Sequence, residues 1–161
     1  MTDSSLVITF DRWRFTCDRE ATQKAYAATL VGGPEECGCT YCLNFAEQRS
    51  AIYPEAMLNL FAKIGIEPNQ EAEVYQMVRL ESGRHLYGGW FHFVGSLLPG
   101  KDAVGKAAES LWASNLENVT EFSFKFTERA DLALKPFEGL PLVQLEFVAK
   151  ILRVINAEEP Q

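Results

Sequence analysis

The amino-acid sequence predicts a single α+β domain: a mainly antiparallel sheet of about five strands with two to four helices, the helices concentrated in the first half. Three observations predict it. Apolar residues recur at helical spacing up to Gly65, they alternate with polar residues from Glu73 onward, and nothing resembles the regular strand-helix alternation of a parallel sheet. At 161 residues the chain fits one domain covering 1–161, a size that buries roughly two-thirds of the surface its unfolded form exposes. No internal repeat, low-complexity run or linker divides it.

Residues 5–17 alternate, with Leu6, Ile8 and Phe10 on one parity and Trp13, Phe15 and Cys17 on the other. A strand that changes parity without losing its apolar face implies one extra residue, which predicts a bulge at Asp11-Arg12 and an inward Cys17. Residues 21–30 carry a weak helical pattern that Gly32-Gly33-Pro34 ends. A second helix fits residues 40–51 through Tyr41 and Phe45. The third is better marked: Pro54 at its first position, Met57, Leu58, Phe61 and Ile64 on one face, and Gly65 as a left-handed cap over which Ile66 folds back on Phe61.

Residues 73–81 and 85–97 then read as a hairpin around Ser82-Gly83. A further helix is expected between Asp102 and Asn115, weakened by Gly105. In the last two strands Phe122, Phe124 and Phe126 alternate with Ser123 and Lys125, and Val143, Leu145 and Phe147 alternate with Gln144 and Glu146. This pattern predicts one apolar and one wet face, with Glu121 and Glu146 toward solvent. Residues 128–141, with two prolines and a glycine, read as a long surface loop.

Composition limits function before any motif does. Hydrophobic residues make up 47% of the chain and charged residues 23%, a balance that folds rather than stays disordered. Net charge is −7 with no run of Lys or Arg, which argues against nucleic acid or anionic membrane as partners and leaves a basic protein or a cation electrostatically welcome. The first ten residues lack the pattern of a secretory signal, and no apolar run reaches the length of a membrane span. The expectation is a cytoplasmic protein with reduced thiols, so its four cysteines are weighed first as metal ligands, reactive groups or small hydrophobes.

Three of them form the distinctive feature, Cys37-Gly38-Cys39-Thr40-Tyr41-Cys42. Turns rich in glycine and proline let several sulfurs converge, and structural zinc takes four N or S ligands at about 2.0–2.3 Å. Cys37, Cys39 and Cys42 supply three. Cys17, His85 and His92 are the candidates for the fourth, and Cys17 is chosen for its inward place at the end of the first strand. The plain alternative is that all four are buried small hydrophobes. A nucleophilic or redox role is a third reading, since Cys39 and Cys42 make a C-x-x-C pair at a helix N-terminus, where the dipole favours a thiolate and Glu35 and Glu36 oppose it. An iron-sulfur cluster has no recognised spacing here.

The run Tyr87-Gly88-Gly89-Trp90-Phe91-His92-Phe93 is the other conspicuous stretch. Its glycines leave room for a ligand or a second backbone, but a strand buried on both faces with an internally bonded His92 is the favoured reading. No nucleophile elbow, H-E-x-x-H, phosphate loop or dinucleotide fingerprint is present.

The E-C-G-C-x-x-C-x-N-F motif of residues 36–45, with Gly89-Trp90-Phe91-His92-Phe93-Val94-Gly95 and Leu140-Pro141-Leu142-Val143-Gln144, resembles a small family of uncharacterised bacterial proteins. The resemblance implies a bacterial origin and assigns no role to any residue. The expected function is a small cytoplasmic binding or interaction domain with a structural zinc site. The alternatives are a thiol-dependent enzyme using Cys39 or Cys42, and an acidic immunity- or inhibitor-type protein that binds a basic partner.

Overall fold

The computed structural model describes residues 5–98 and 121–154. Along the chain they form β1 (Ser5–Phe10), β2 (Trp13–Asp18), α1 (Arg19–Ala27), α2 (Gly33–Cys37), α3 (Thr40–Ile52), α4 (Glu55–Ile64), β3 (Glu73–Arg79), β4 (His85–Leu97), β5 (Phe122–Thr127) and β6 (Leu142–Ile151). The strands make one antiparallel sheet of order β1-β2-β4-β6-β5, with β3 also paired to β4. The predicted α+β class holds, with six described strands, and the described α-helices lie in the first half. The helix expected between Asp102 and Asn115 falls outside the described residues. No helix among the described residues is long and apolar enough to cross a membrane.

At Asp11-Arg12 the chain makes a hairpin turn, not the expected bulge, and Phe10 pairs with Trp13 across it. A two-residue reversal keeps those two side chains on one face, so it produces the same parity change as a bulge. Asp11 takes φ 56°, a conformation that Asp accepts more readily than bulky residues.

β4 is the spine of the sheet. One of its edges pairs with β6 from His85↔Ile151 to Val94↔Leu142. The other edge is divided: β3 takes the portion up to Trp90, and β2 the portion from Gly95. Gly95 permits the second pairing, because a Cβ there would lie 2.0 Å from the Thr16 carbonyl oxygen. Between the two partners, where no described strand pairs, α1 supplies side chains. The Tyr26 hydroxyl donates to the His92 carbonyl at 2.6 Å, and the Val94 amide donates to Thr22 Oγ1 at 3.0 Å. Thr22 and Tyr26 are four residues apart and so share one helix face. Asp18 starts that helix by accepting the Ala21 amide at 3.0 Å.

The glycines and proline expected to end the first helix instead open a second, α2, with Pro34 in its first turn, where its missing N–H leaves no bond unmade. Pro54 caps α4 from just outside, and Gly65 closes it at φ 94° as predicted. Leu60 rather than Leu58 completes the buried face of α4. The helices cover a core dominated by aromatic rings. Tyr53 sits 5.3 Å from both Phe61 and Phe147, and Phe45 lies 5.9 Å from Tyr87.

The opposite face of β6 is not wet: Gln144 and Glu146 are buried. Residues 128–141, which contain a single 3-10 turn at Lys135–Phe137, fold over it. Trp90 Nε1 donates to the Asp131 carbonyl at 2.8 Å, and the Asp131 amide donates to Gln144 Oε1 at 3.0 Å. Gln144 Nε2 donates to Glu146 at 2.9 Å. Since Gln144 Oε1 is an acceptor, His92 Nε2, 2.9 Å away, carries a proton. His92 is the internally bonded core histidine that the sequence predicts, and Glu121 is exposed and paired with Arg84.

Candidate metal centre

α2 and α3 meet at a turn that carries a cysteine at each step. Cys37 ends α2. Gly38 follows at φ 66°, its amide bonded to the Pro34 carbonyl at 2.9 Å, and reverses the chain. Cys39 then caps α3, and Cys42 lies in its first turn. The three sulfurs all lie within 4.8 Å of one another. Cys37 and Cys39 are exposed and Cys42 is buried, so the trio forms a cup with one wall in the protein and an open side in solvent.

Polar bonds from Arg49 hold the cup in place. Its guanidinium grips Glu71 through Nε at 3.0 Å and Nη2 at 2.7 Å, and reaches Glu35 through Nη1 at 2.8 Å. The Tyr53 hydroxyl donates to Glu71 at 2.6 Å. One cation therefore ties α2, α3 and the approach to β3 together, two residues before Cys37. The Gly33 amide adds a bond to the Glu71 carbonyl at 2.8 Å. A Cβ on Gly33 would stand 2.4 Å from the Ala72 carbonyl oxygen, which is why α2 can lie this close. Burial raises the Glu71 carboxyl above the ordinary carboxylate value while Arg49 and Tyr53 pull against that rise. Burial likewise disfavours the Arg49 cation, but Glu71 and Glu35 more than restore it.

The sheet side of α3 is pinned separately. The Tyr87 hydroxyl donates to the Tyr41 carbonyl at 2.9 Å, one residue before Cys42. Asn44, fully buried, donates to the Leu152 carbonyl at 2.9 Å and accepts the Val154 amide at 2.8 Å.

The thiols differ in acidity. Partial burial alone would raise Cys39, but the Cys42 amide, the neighbouring thiols of Cys37 and Cys42 and the Tyr41 amide outweigh it, and the net shift is downward. No formal capping bond forms at Cys39; the amides at the open end of α3 act by their direction and proximity. Glu35, which would oppose a thiolate, is committed to Arg49. Cys42 moves strongly the other way, through burial first and then through its bonds to Cys39 and Cys37.

Cys17, expected as the fourth ligand, is not part of this group. Its sulfur is sealed in the core and donates to the Ile64 carbonyl at 3.4 Å, and burial pushes its thiol up to about 11. Inward orientation on β2 leads to α4, not to the α2–α3 turn. His92 is held under residues 128–141, and His85 Nδ1 is 3.1 Å from Gln76 Nε2. Neither joins the sulfurs. The Glu35, Arg49 and Glu71 cluster was missed by sequence reading, because its members are separated by 14 and 22 positions and follow no period.

The trio can do two things chemically: hold a thiophilic ion with one position left open, or cycle between dithiol and disulfide through Cys39 and Cys42. No protein-family model, curated protein or solved structure matches the chain, so the choice between these chemistries rests on the geometry.

Proposed function

We propose that this domain binds one zinc ion through Cys37, Cys39 and Cys42, with the fourth position taken by solvent or by a ligand from outside the domain, and that it serves as a metal-bearing binding module. The observation that carries this reading is the convergence of three sulfurs within 4.8 Å on one braced turn, with the open side facing solvent. Zinc–thiolate bonds of about 2.3 Å in a tetrahedron place sulfurs about 3.8 Å apart, so small side-chain rotations close the cup on an ion. Three protein ligands and an open fourth position characterise zinc sites that act on a bound ligand, whereas purely structural sites are closed. Chelator-free protein supplied with zinc and then desalted is expected to hold about one equivalent, and the Cys37→Ser/Cys39→Ser/Cys42→Ser variant less than about a tenth. Less than a tenth in the unmodified protein would refute the reading.

The asymmetry between Cys39 and Cys42 supports a second reading, a dithiol exchanger. Cys39 is exposed with its thiolate favoured, and Cys42 is buried with its thiol protonated. In that chemistry the Cys39 thiolate attacks a substrate disulfide and expels one thiolate. Cys42 then loses its proton and attacks the Cys39 sulfur, which expels the second thiolate and leaves the protein oxidised and the substrate reduced. Alkylation of metal-free native protein is expected to label Cys39 first, at a pH below the ordinary thiol value. Uniform labelling of Cys37 and Cys39 would count against it.

A further inference from the structure

A cleft of about 940 Å³ opens between residues 28–33, where the chain passes from α1 into α2, and residues 132–138, with Cys37 and Ala72 also in its lining. Leu30 and Val31 form one wall, and Leu132, Leu134 and Pro136 the other. Leu30 is 95% exposed and Leu132 66%, so neither contributes appreciably to the fold by burial. Leu132 also sits at φ 46°. A branched side chain in the left-handed region costs about 1–2 kcal/mol, which Asn or Gly at the same position would largely avoid. Strain combined with exposure is unexplained by stability, and strained residues cluster where something binds. The charged side chains among its described lining residues, which form its polar rim, are Glu36, Glu73, Glu138 and Lys135.

We infer that this cleft docks a short basic, apolar segment of a partner protein. Its leucine-like side chains lie between the two walls, and its Lys or Arg side chains meet the three rim carboxylates. The acidic rim selects the sign of the partner's charge, and the −7 net charge of the chain adds steering toward a cationic partner at low ionic strength. Cys37 also lines the cleft, but the inference is argued from the apolar walls and the carboxylates and does not rest on metal binding.

The test is fluorescence anisotropy with a fluorescein-labelled peptide of alternating leucine and lysine, and with two companions in which glutamate replaces lysine or serine replaces leucine. The leucine-lysine peptide is expected to saturate below about 100 µM, and each companion to bind at least about tenfold more weakly. Leu132→Asn is expected to weaken binding by about tenfold or more while the melting temperature stays equal or rises, because the strain is relieved. That pairing separates lost docking from lost folding. Glu138→Lys is expected to weaken binding several-fold through the rim alone. No saturation up to about 1 mM, equal binding of the glutamate peptide, or unchanged affinity in Leu132→Asn would each overturn the inference.

Discussion

Cys17 on β2 is sealed beneath α4, its sulfur bonded to a backbone carbonyl at 3.4 Å, while Cys37, Cys39 and Cys42 converge within 4.8 Å on a turn that leaves two of them in solvent. The strand treats cysteine as a small hydrophobe: Cys17 shares the inward face of β2 with Trp13 and Phe15, all three buried. Polar bonds place the turn, through one cation shared by two carboxylates and a glycine that reverses the chain. The difference teaches that inward orientation alone does not make a ligand. What makes a ligand set is convergence, and the turn that brings it about depends for its polar bracing on the Arg49 bonds to Glu35 and Glu71.

The largest expected effect comes from breaking that dependence. Arg49→Met leaves Glu71 buried and uncompensated, which costs about 3–5 kcal/mol, read as a fall in the urea midpoint. Bound zinc is expected to fall with it, because Glu35 no longer holds α2 beside α3. A companion Glu71→Leu substitution is expected to recover much of the stability, since apolar pairs often replace buried ion pairs without loss. If zinc binding returns with stability, the guanidinium only stabilises; if it does not, it also positions the cysteines.

Next come substitutions that move the two regions in opposite directions. Cys17→Ala is expected to cost about 1–2 kcal/mol by opening a small cavity and to leave zinc stoichiometry at about one. Gly38→Ala forces a side chain into the left-handed region at a cost of about 1–2 kcal/mol and is expected to weaken zinc binding, read by competition with a chromophoric chelator. Reversal of the two zinc outcomes would exchange the roles assigned to strand and turn.

The smallest effect is in pH. Burial depresses His92 below its ordinary value of 6.5, opposed by Gln144 and Asp131. Below 6.5 the unfolded chain therefore binds a proton that the folded one does not. Stability is present in full above 6.5 and is lost as pH falls from there toward the depressed folded value, at up to about 1.4 kcal/mol per pH unit inside that window. His92→Gln is expected to flatten that slope in chemical denaturation of metal-free protein. Zinc binding weakens over the same descent for a separate reason, because protons compete for the thiolates.

Much of the frame was legible from local pattern. The alternating phenylalanines of β5, the Gly65 cap of α4 and the β3–β4 hairpin all follow from residue periodicity, and the structure has them where the sequence predicts. Pattern misled where two geometries share a signature, as at Asp11-Arg12, where a bulge and a tight turn shift parity alike. It also failed where distant chain supplies the environment: Gln144 and Glu146 alternate like solvent-facing residues, yet Asp131 closes over Gln144 and Lys125 and Thr127 of β5 engage Glu146. The cysteine cluster could be read because its members are neighbours in sequence. Orientation alone points Cys17 inward, and nothing in its local sequence reveals that α4 occupies the space beneath it.

X-ray absorption at the zinc edge of the loaded protein is the decisive measurement of ligation by Cys37, Cys39 and Cys42, because it counts the sulfurs around the ion. Three sulfurs at about 2.3 Å with one lighter O or N neighbour is the predicted result. Four sulfurs, or none, would contradict ligation by these three cysteines alone.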